Sequence, residues 1–107
     1  MCFICAHFTQ GQEMAHERNK DYLQIMNSIH FPCAASVDSH DYIFFLGDLN
    51  YRIDLENTKI RNLIRFKQYD QLLRHDQLLL NKKANIIFQG FQEGSINFAP
   101  TYKYDLN

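Results

Sequence analysis

Apolar runs and amphipathic segments alternate along the chain. Residues 1–8 are nearly all apolar, which is typical of a short strand buried on both faces. A turn at residues 9–12 follows, and from Glu13 to about Ile29 apolar residues recur at helical spacing. Four of them share one face of the predicted helix: Tyr22, Ile25, Met26 and Ile29. The amino-terminal part therefore reads as a strand followed by a helix.

A second apolar run, at residues 42–46, predicts a second buried strand that ends at Gly47. Pro32 prevents the first helix from continuing, and residues 34–40 are predicted to form a loop. Residues 48–54 form a further loop at the carboxyl end of the second strand.

From Asn57 to the end of the chain, the pattern predicts short helices followed by strand and loop. Asn57 is predicted to cap a helix, and Tyr69 to Leu80 predicts one or two short helices. Residues 86–88 predict a short strand, and residues 89–107 predict loop and edge strand. Strands that alternate with helices indicate a layered α/β protein, whose functional groups gather at the carboxyl ends of the strands.

Composition and charge narrow the function. The chain has 107 residues, 46% of them hydrophobic, which is a globular composition. The formal net charge is -1, so no overall basic field attracts nucleic acid or a membrane, and an anionic ligand must be held by local groups. No apolar run reaches the ~20 residues of a membrane span, and no signal peptide is expected. Both ends lack linker or capping residues, so we expect a piece of a larger domain.

The cysteines indicate a reducing compartment. Their number is three, and their spacing is irregular, which does not describe a disulfide framework. Cys2 and Cys5 form a C-x-x-C pair, but no second pair completes a zinc site. We interpret both as small core residues of the first strand.

Candidate chemistry follows the second strand. Asp48 and Asn50 are two residues apart, and in an extended segment their side chains point the same way. The carboxylate can orient or deprotonate a water or help to hold a metal, and the amide can donate to a phosphate oxygen. The same residues also describe an ordinary Asx turn, and both interpretations stay open at this point.

Three more residues could contact an anion. His7 lies near the carboxyl end of the first strand, where an imidazole could bond a phosphate or assist a leaving group. Tyr102 and Lys103 add a hydroxyl and an ammonium near the end of the chain. The alternatives are a structural histidine and an edge strand with an exposed lysine.

Several long blocks, in order and in register, resemble those of the inositol polyphosphate 5-phosphatases. They are Ala6-His7-Phe8 with Glu17–Asp21, Phe44–Ile53, Asp76-Gln77-Leu78 and Phe91–Asp105. The blocks cover essentially the whole chain. Three segments resemble the synaptojanin branch in particular: Cys5–Phe8, Ser39–Tyr42 and Phe98–Pro100. Phe45 stands where the family usually has Trp, which keeps an aromatic ring in the core.

The resemblance implies that residues 1–107 are part of a deoxyribonuclease-I-like four-layer α/β sandwich, with amino- and carboxyl-terminal portions of the catalytic domain missing. It implies Mg²⁺-dependent hydrolysis of the 5-phosphate of phosphatidylinositol 4,5-bisphosphate and related inositol polyphosphates. The principal Glu ligand of the metal is expected outside this chain, so the fragment alone should be inactive. The implied partner is a phosphoinositide headgroup, with no nucleic acid, and the implied location is cytoplasmic and peripheral at membranes.

The resemblance also assigns roles to residues. His7, Asp48 and Asn50 would be catalytic, and Tyr102 and Lys103 would contact the neighbouring 4-phosphate. Five residues would support them: Arg18, Asn19, Asp21, Tyr51 and Arg52. The alternatives are a nuclease of the same superfamily and a catalytically dead scaffold domain.

Overall fold

The computed structural model describes residues 1–29 and 42–105. Its elements, in chain order, are β1 (Cys2–His7), α1 (Ala15–Ser28), β2 (Ile43–Asp48), α2 (Asn57–Arg65), α3 (Tyr69–Leu73) and α4 (Gln77–Lys83). They belong to two compact units, one spanning Met1–Arg52 and the other beginning at Ile53. Of the helices in these described ranges, none has the length and hydropathy that a bilayer crossing requires.

The first unit is built on a parallel pair of strands. Cys2 of β1 lies opposite Ile43 of β2, and the register runs on to His7 opposite Asp48. Parallel neighbours need a crossover connection, and α1 lies in it. Because both strands run in the same direction, His7 and Asp48 come to the same edge of the sheet.

The two faces of this sheet differ. On one face Cys2 and Ile4 are buried, and partly buried apolar residues pack against them: Ile25, Met26, Ile29, Ile43 and Phe45. On the other face the rings of Phe3 and Phe44 stack 5.0 Å apart, and these residues are 66% and 46% exposed. The prediction of strands buried on both faces is therefore wrong for the described residues, because among them a helix covers one face only.

The second unit contains the three short helices. The predicted helices after Asn57 and across Tyr69 to Leu80 are confirmed, although α4 continues to Lys83. Leu72, Ile87 and Phe88 are buried in this unit.

The predicted cap of α2 is wrong. Glu56 occupies the N-cap position without a side-chain capping bond, and Asn57 is the first helical residue. The Asn57 side chain has a different partner, because its Oδ1 accepts a hydrogen bond from Arg61 Nε at 2.8 Å. A residue type that suits a cap also suits this pairing one turn along the helix.

The strands predicted after α4 are also wrong. Between Lys83 and residue 105 the described chain forms no strand. Phe88 has a φ of 54°, which an extended strand does not allow, and the described second unit offers no strand for this segment to pair with. The loop predicted at residues 34–40 lies outside the described residues.

Candidate active site

The tips of β1 and β2 bring His7 and Asp48 side by side. His7 Nε2 lies 3.7 Å from Asp48 Oδ2, and the two side chains are 75% and 62% exposed. One residue further on, Phe8 N donates to the Asp48 carbonyl at 3.0 Å, so the strand pairing continues past the two side chains. The imidazole and the carboxylate are thus held by backbone bonds while their polar atoms face solvent.

Gly47 permits the close approach of the two strands at this edge. Its φ is 129°, a conformation that side chains rarely adopt. A Cβ at this position would collide with the backbone of Ala6 on β1. The glycine is therefore required by the neighbouring strand, within the sheet itself.

The segment after β2 is turned rather than extended. Asn50 has a φ of 58°, and its backbone N–H donates to Asp48 Oδ1 at 3.1 Å. This is the Asx turn that the sequence left open as an alternative, and the extended geometry is wrong. The turn brings Asn50 back toward β1, where its Nδ2 donates to the Phe8 carbonyl at 2.9 Å.

Arg52 sets the orientation of the Asn50 side chain. Its Nη2 donates to Asn50 Oδ1 at 3.2 Å, and its Nε donates to the Asn50 carbonyl at 3.0 Å. With the amide oxygen toward Arg52, the NH₂ group points toward Phe8. Because an amide nitrogen carries two N–H donors, one of them serves the Phe8 carbonyl and a second can serve a ligand.

Arg18 holds the loop that follows β1. It is 0% exposed, and its Nη1 donates to the carbonyls of Thr9 at 3.1 Å and Gly11 at 2.6 Å. Its guanidinium carbon lies 5.3 Å from the centroid of the Tyr51 ring. A buried cation requires such partners, and here they are the backbone of the loop next to His7.

Three further hydrogen bonds tie α1 to the segments around it. Tyr51 Oη donates to Asn19 Oδ1 at 2.7 Å, and burial raises the pKa of Tyr51 well above its usual range, so the phenol remains a donor. Asp21 Oδ2 accepts from Thr9 N at 2.8 Å and Thr9 Oγ1 at 2.7 Å. Four of the residues predicted as supports are therefore linked through hydrogen bonds and the contact of Arg18 with the Tyr51 ring, and the fifth, Arg52, bonds to Asn50.

An open cavity of about 580 Å³ lies in the first unit beside the His7 side chain. Its lining comprises His7, Phe8, Thr9, Gln10, Asp21, Gln24 and Ile25. The cavity is polar at the loop after β1 and apolar where α1 contributes Ile25.

Tyr102 and Lys103 belong to the second unit. Both are exposed, Tyr102 to 79%. Their approach to His7, Asp48 and Asn50 stays a prediction. Sequence reasoning missed a contact in this segment: Arg61 of α2 binds both carboxylate oxygens of Asp105, at 2.6 and 2.9 Å.

The described residues contain no cluster of three His, Cys, Asp or Glu side chains that would enclose a metal ion. Mg²⁺ prefers oxygen ligands, and at the sheet edge the described residues offer the Asp48 carboxylate and the Asn50 amide oxygen, which accepts from Arg52. Cys2 is buried and Cys5 is exposed, and both are free thiols, so the interpretation of Cys5 as a core residue is wrong within the described chain.

Comparison with known proteins identifies relatives that belong to one family. The model of endonuclease/exonuclease/phosphatase family 2 matches residues 1–107. Human synaptojanin-1 is 49% identical over 106 residues, which cover 99% of this chain and 7% of that protein. The type I inositol polyphosphate 5-phosphatase 2 of Arabidopsis thaliana is 36% identical over 115 residues, which cover 100% of this chain and 18% of that protein.

A solved structure is similar throughout. The inositol polyphosphate 5-phosphatase domain of SPSynaptojanin, in complex with inositol (1,4)-bisphosphate and calcium ion, superimposes with a TM-score of 0.92 at 35% identity. The match covers 96% of this chain and 31% of that one, so the chain spans less than a third of the solved domain's chain. The expected resemblance to synaptojanin-type 5-phosphatases and the expected fold, part of a deoxyribonuclease-I-like α/β sandwich, are confirmed.

Proposed function

Because this chain belongs to endonuclease/exonuclease/phosphatase family 2, we propose that it carries part of the active site of an inositol polyphosphate 5-phosphatase. The proposed substrates are phosphatidylinositol 4,5-bisphosphate and related inositol polyphosphates. The observation that carries the proposal is the grouping of His7, Asp48 and Asn50 at one sheet edge, with imidazole and carboxylate 3.7 Å apart. The synaptojanin and 5-phosphatase relatives support the choice of substrate class.

The proposed reaction is attack of water on the 5-phosphate. The Asp48 carboxylate orients the water and accepts its proton as the new P–O bond forms. The bond from phosphorus to the inositol oxygen breaks, that oxygen takes up a proton from solvent as inorganic phosphate forms, and Asp48 returns the proton it accepted to solvent. The transition state is strongly anionic, so positioned donors contribute most of the rate enhancement. Here the donors are His7 and the second N–H of Asn50.

The supporting residues would keep these donors in place. Arg52 fixes which end of the Asn50 amide faces the substrate. Arg18 and Asp21 fix the loop beside His7, and Tyr51 connects that loop's neighbour α1 to the segment after β2. Positioning of this kind matters because small displacements of catalytic groups reduce the reaction rate strongly.

A second phosphate subsite would involve Tyr102 and Lys103, contacting the 4-phosphate next to the scissile group. An ammonium and a phenol suit that anion. We also propose that Mg²⁺ supports the reaction through ligands outside the described residues, the principal one a Glu beyond this chain, so that the 107 residues alone are inactive. A bound divalent cation would neutralise phosphate charge. The site would then act in the cytoplasm, on headgroups at the membrane surface.

The test uses the full-length gene product that carries this chain. Phosphate release is measured with phosphatidylinositol 4,5-bisphosphate vesicles, with a soluble inositol trisphosphate and with DNA, each in Mg²⁺ and in EDTA. We expect Mg²⁺-dependent release from both inositol substrates, reduced about 10²–10³-fold by Asp48→Asn and by His7→Asn. Lys59→Gln, an exposed change on α2, should leave the rate unchanged.

Three results would overturn the proposal. Cleavage of DNA without release of inositol phosphate would indicate the nuclease. A folded protein that turns over neither substrate class would indicate a scaffold. Full activity in Asp48→Asn would remove the acid assigned to the water.

A further inference from the structure

A bidentate ion pair joins the segment with Tyr102 and Lys103 to α2 in the second unit. Arg61 Nη1 and Nη2 each donate to a different oxygen of Asp105, at 2.6 and 2.9 Å. This fork-to-fork arrangement restricts both distance and rotation, which a single contact does not. The pair joins α2 to a position 44 residues further along the chain.

The guanidinium is itself prepared for this contact. Its third nitrogen, Nε, donates to Asn57 Oδ1 at 2.8 Å, one turn earlier on α2. A helix therefore presents the two remaining nitrogens in a fixed direction. Lysine at the same position could supply charge but not the planar fork.

The segment needs an anchor because no regular structure holds it. Residues 84–105 form neither helix nor strand. Lys103 and Tyr102 are exposed, and Asp105 follows Lys103 by two residues. The backbone of the proposed 4-phosphate subsite is thus fixed nearby through the Asp105 side chain.

The negative charge of Asp105 gives a second reason why its pairing with Arg61 matters for Lys103. An uncompensated carboxylate two residues from Lys103 would weaken the attraction of the ammonium for a phosphate. The Arg61 guanidinium compensates that carboxylate. Hydrogen bonding to Arg61 and its charge lower the pKa of Asp105, and the same contacts raise the pKa of Arg61, so both groups stay ionised in the pair.

We propose that Arg61 is a positioning residue for binding a phosphate monoester next to the scissile one: through Asp105 it holds Lys103 and Tyr102 in place and removes the opposing charge. This inference rests on the proposed function, because it assigns a purpose to the subsite proposed there. Arg61 touches no reacting atom in this scheme.

The kinetic test compares two substrates of the full-length gene product, one with both 4- and 5-phosphates and one with a 5-phosphate but no 4-phosphate. For Arg61→Ala we expect KM for the first substrate to rise about fivefold, with kcat within about twofold, and no change for the second. The KM of Arg61→Lys for the first substrate should lie between those of Arg61→Ala and wild type. The charge swap Arg61→Asp with Asp105→Arg should bring this KM most of the way back to the wild-type value. The control Lys59→Gln should have the wild-type KM.

A second readout is independent of turnover. Trypsin cleavage after Lys103 should be several-fold faster in Arg61→Ala and in Asp105→Ala than in wild type. In the charge swap the cleavage rate should return toward that of wild type. An equal cleavage rate in all these variants would overturn the anchoring role.

Lys103→Ala separates the two proposals. If it raises KM for the first substrate while Arg61→Ala does not, the positioning inference is wrong and the proposed subsite stands. If Lys103→Ala changes neither KM, the proposed 4-phosphate contact is wrong, and the role of Arg61 falls with it. Equal KM increases for both substrates in Arg61→Ala would indicate a general structural defect and also overturn the inference.

Discussion

The two units hold their candidate functional groups in opposite ways. In the first, the loop beside His7 is fixed by Arg18, which is 0% exposed and bonded to the carbonyls of Thr9 and Gly11. In the second, the segment with Lys103 is fixed by Arg61 and Asp105, whose side chains are 59% and 70% exposed. Each unit relies on an arginine: Arg18 is buried, whereas Arg61 is exposed to water.

This difference in burial predicts that Arg18 acts mainly on folding stability and Arg61 mainly on the position of the segment it binds. Removing a buried cation leaves desolvated acceptors without partners, and that cost falls on folding itself. An exposed ion pair is screened by water and salt and contributes little to folding, although it can still select one local conformation. We therefore expect mutations in the first network to lower stability and mutations in the second to change substrate binding.

The largest effect is expected for Arg18→Met. The substitution removes the donors of the Thr9 and Gly11 carbonyls and the cation over Tyr51, and should lower the free energy of unfolding by about 3 kcal/mol. Urea denaturation of the full chain measures it. The matched control is Arg65→Met on the exposed side of α2, expected within about 0.5 kcal/mol of wild type. Equal losses in the two variants would contradict the distinction.

Tyr51→Phe should have the next largest effect. It deletes the hydrogen bond to Asn19 and should cost about 1–2 kcal/mol, whereas Tyr42→Phe, at a residue 64% exposed, should cost almost nothing.

The same variant has a pH signature. Burial raises the pKa of Tyr51 in the folded protein, so above the ordinary tyrosine value of about pH 10 the unfolded chain loses this proton before the folded one does. Wild-type stability should then fall as pH rises beyond about 10, and fall less steeply in Tyr51→Phe. Parallel pH profiles of urea midpoints would count against the buried neutral phenol.

A smaller effect is expected at the cap of α4. Asp76 accepts a hydrogen bond from Leu79 N, so Asp76→Ala should lower the free energy of unfolding by about 1 kcal/mol.

The same residue should also make stability depend on pH. Burial, reinforced by the carboxylates of Glu93 and Asp54, raises the pKa of Asp76. Its ionised form is therefore disfavoured in the folded state, and wild type should lose stability relative to Asp76→Asn as pH rises from about 4. Thermal unfolding at acidic and neutral pH tests this.

The smallest effect on stability is expected for Arg61→Ala. Because its pair with Asp105 is exposed, the urea midpoint should not change measurably, even where substrate binding does. A midpoint shift comparable to that of Arg18→Met would erase the contrast between the two units.

Local patterns were sufficient for much of the fold. The apolar runs before Gly47 and before Thr9 became paired parallel strands, and helical periodicity located α1 and α2. These elements depend on the spacing of neighbouring residues, so a single sequence contains the information. Cap choice at Asn57 and the strand expected at residues 86–88 failed because each depends on which partner is present, and spacing carries no record of that.

The same distinction between local pattern and distant contact applies to the candidate site. Residue chemistry and family resemblance singled out His7, Asp48 and Asn50, but not how they meet. The Asn50 amide reaches the Phe8 carbonyl across 42 residues of chain, and Arg61 reaches Asp105 across 44. Contacts between distant segments arise when packing closes the chain on itself, and no periodicity within either segment encodes them. Residue identity therefore sets which groups are available for chemistry, whereas the folded chain sets which of them face each other.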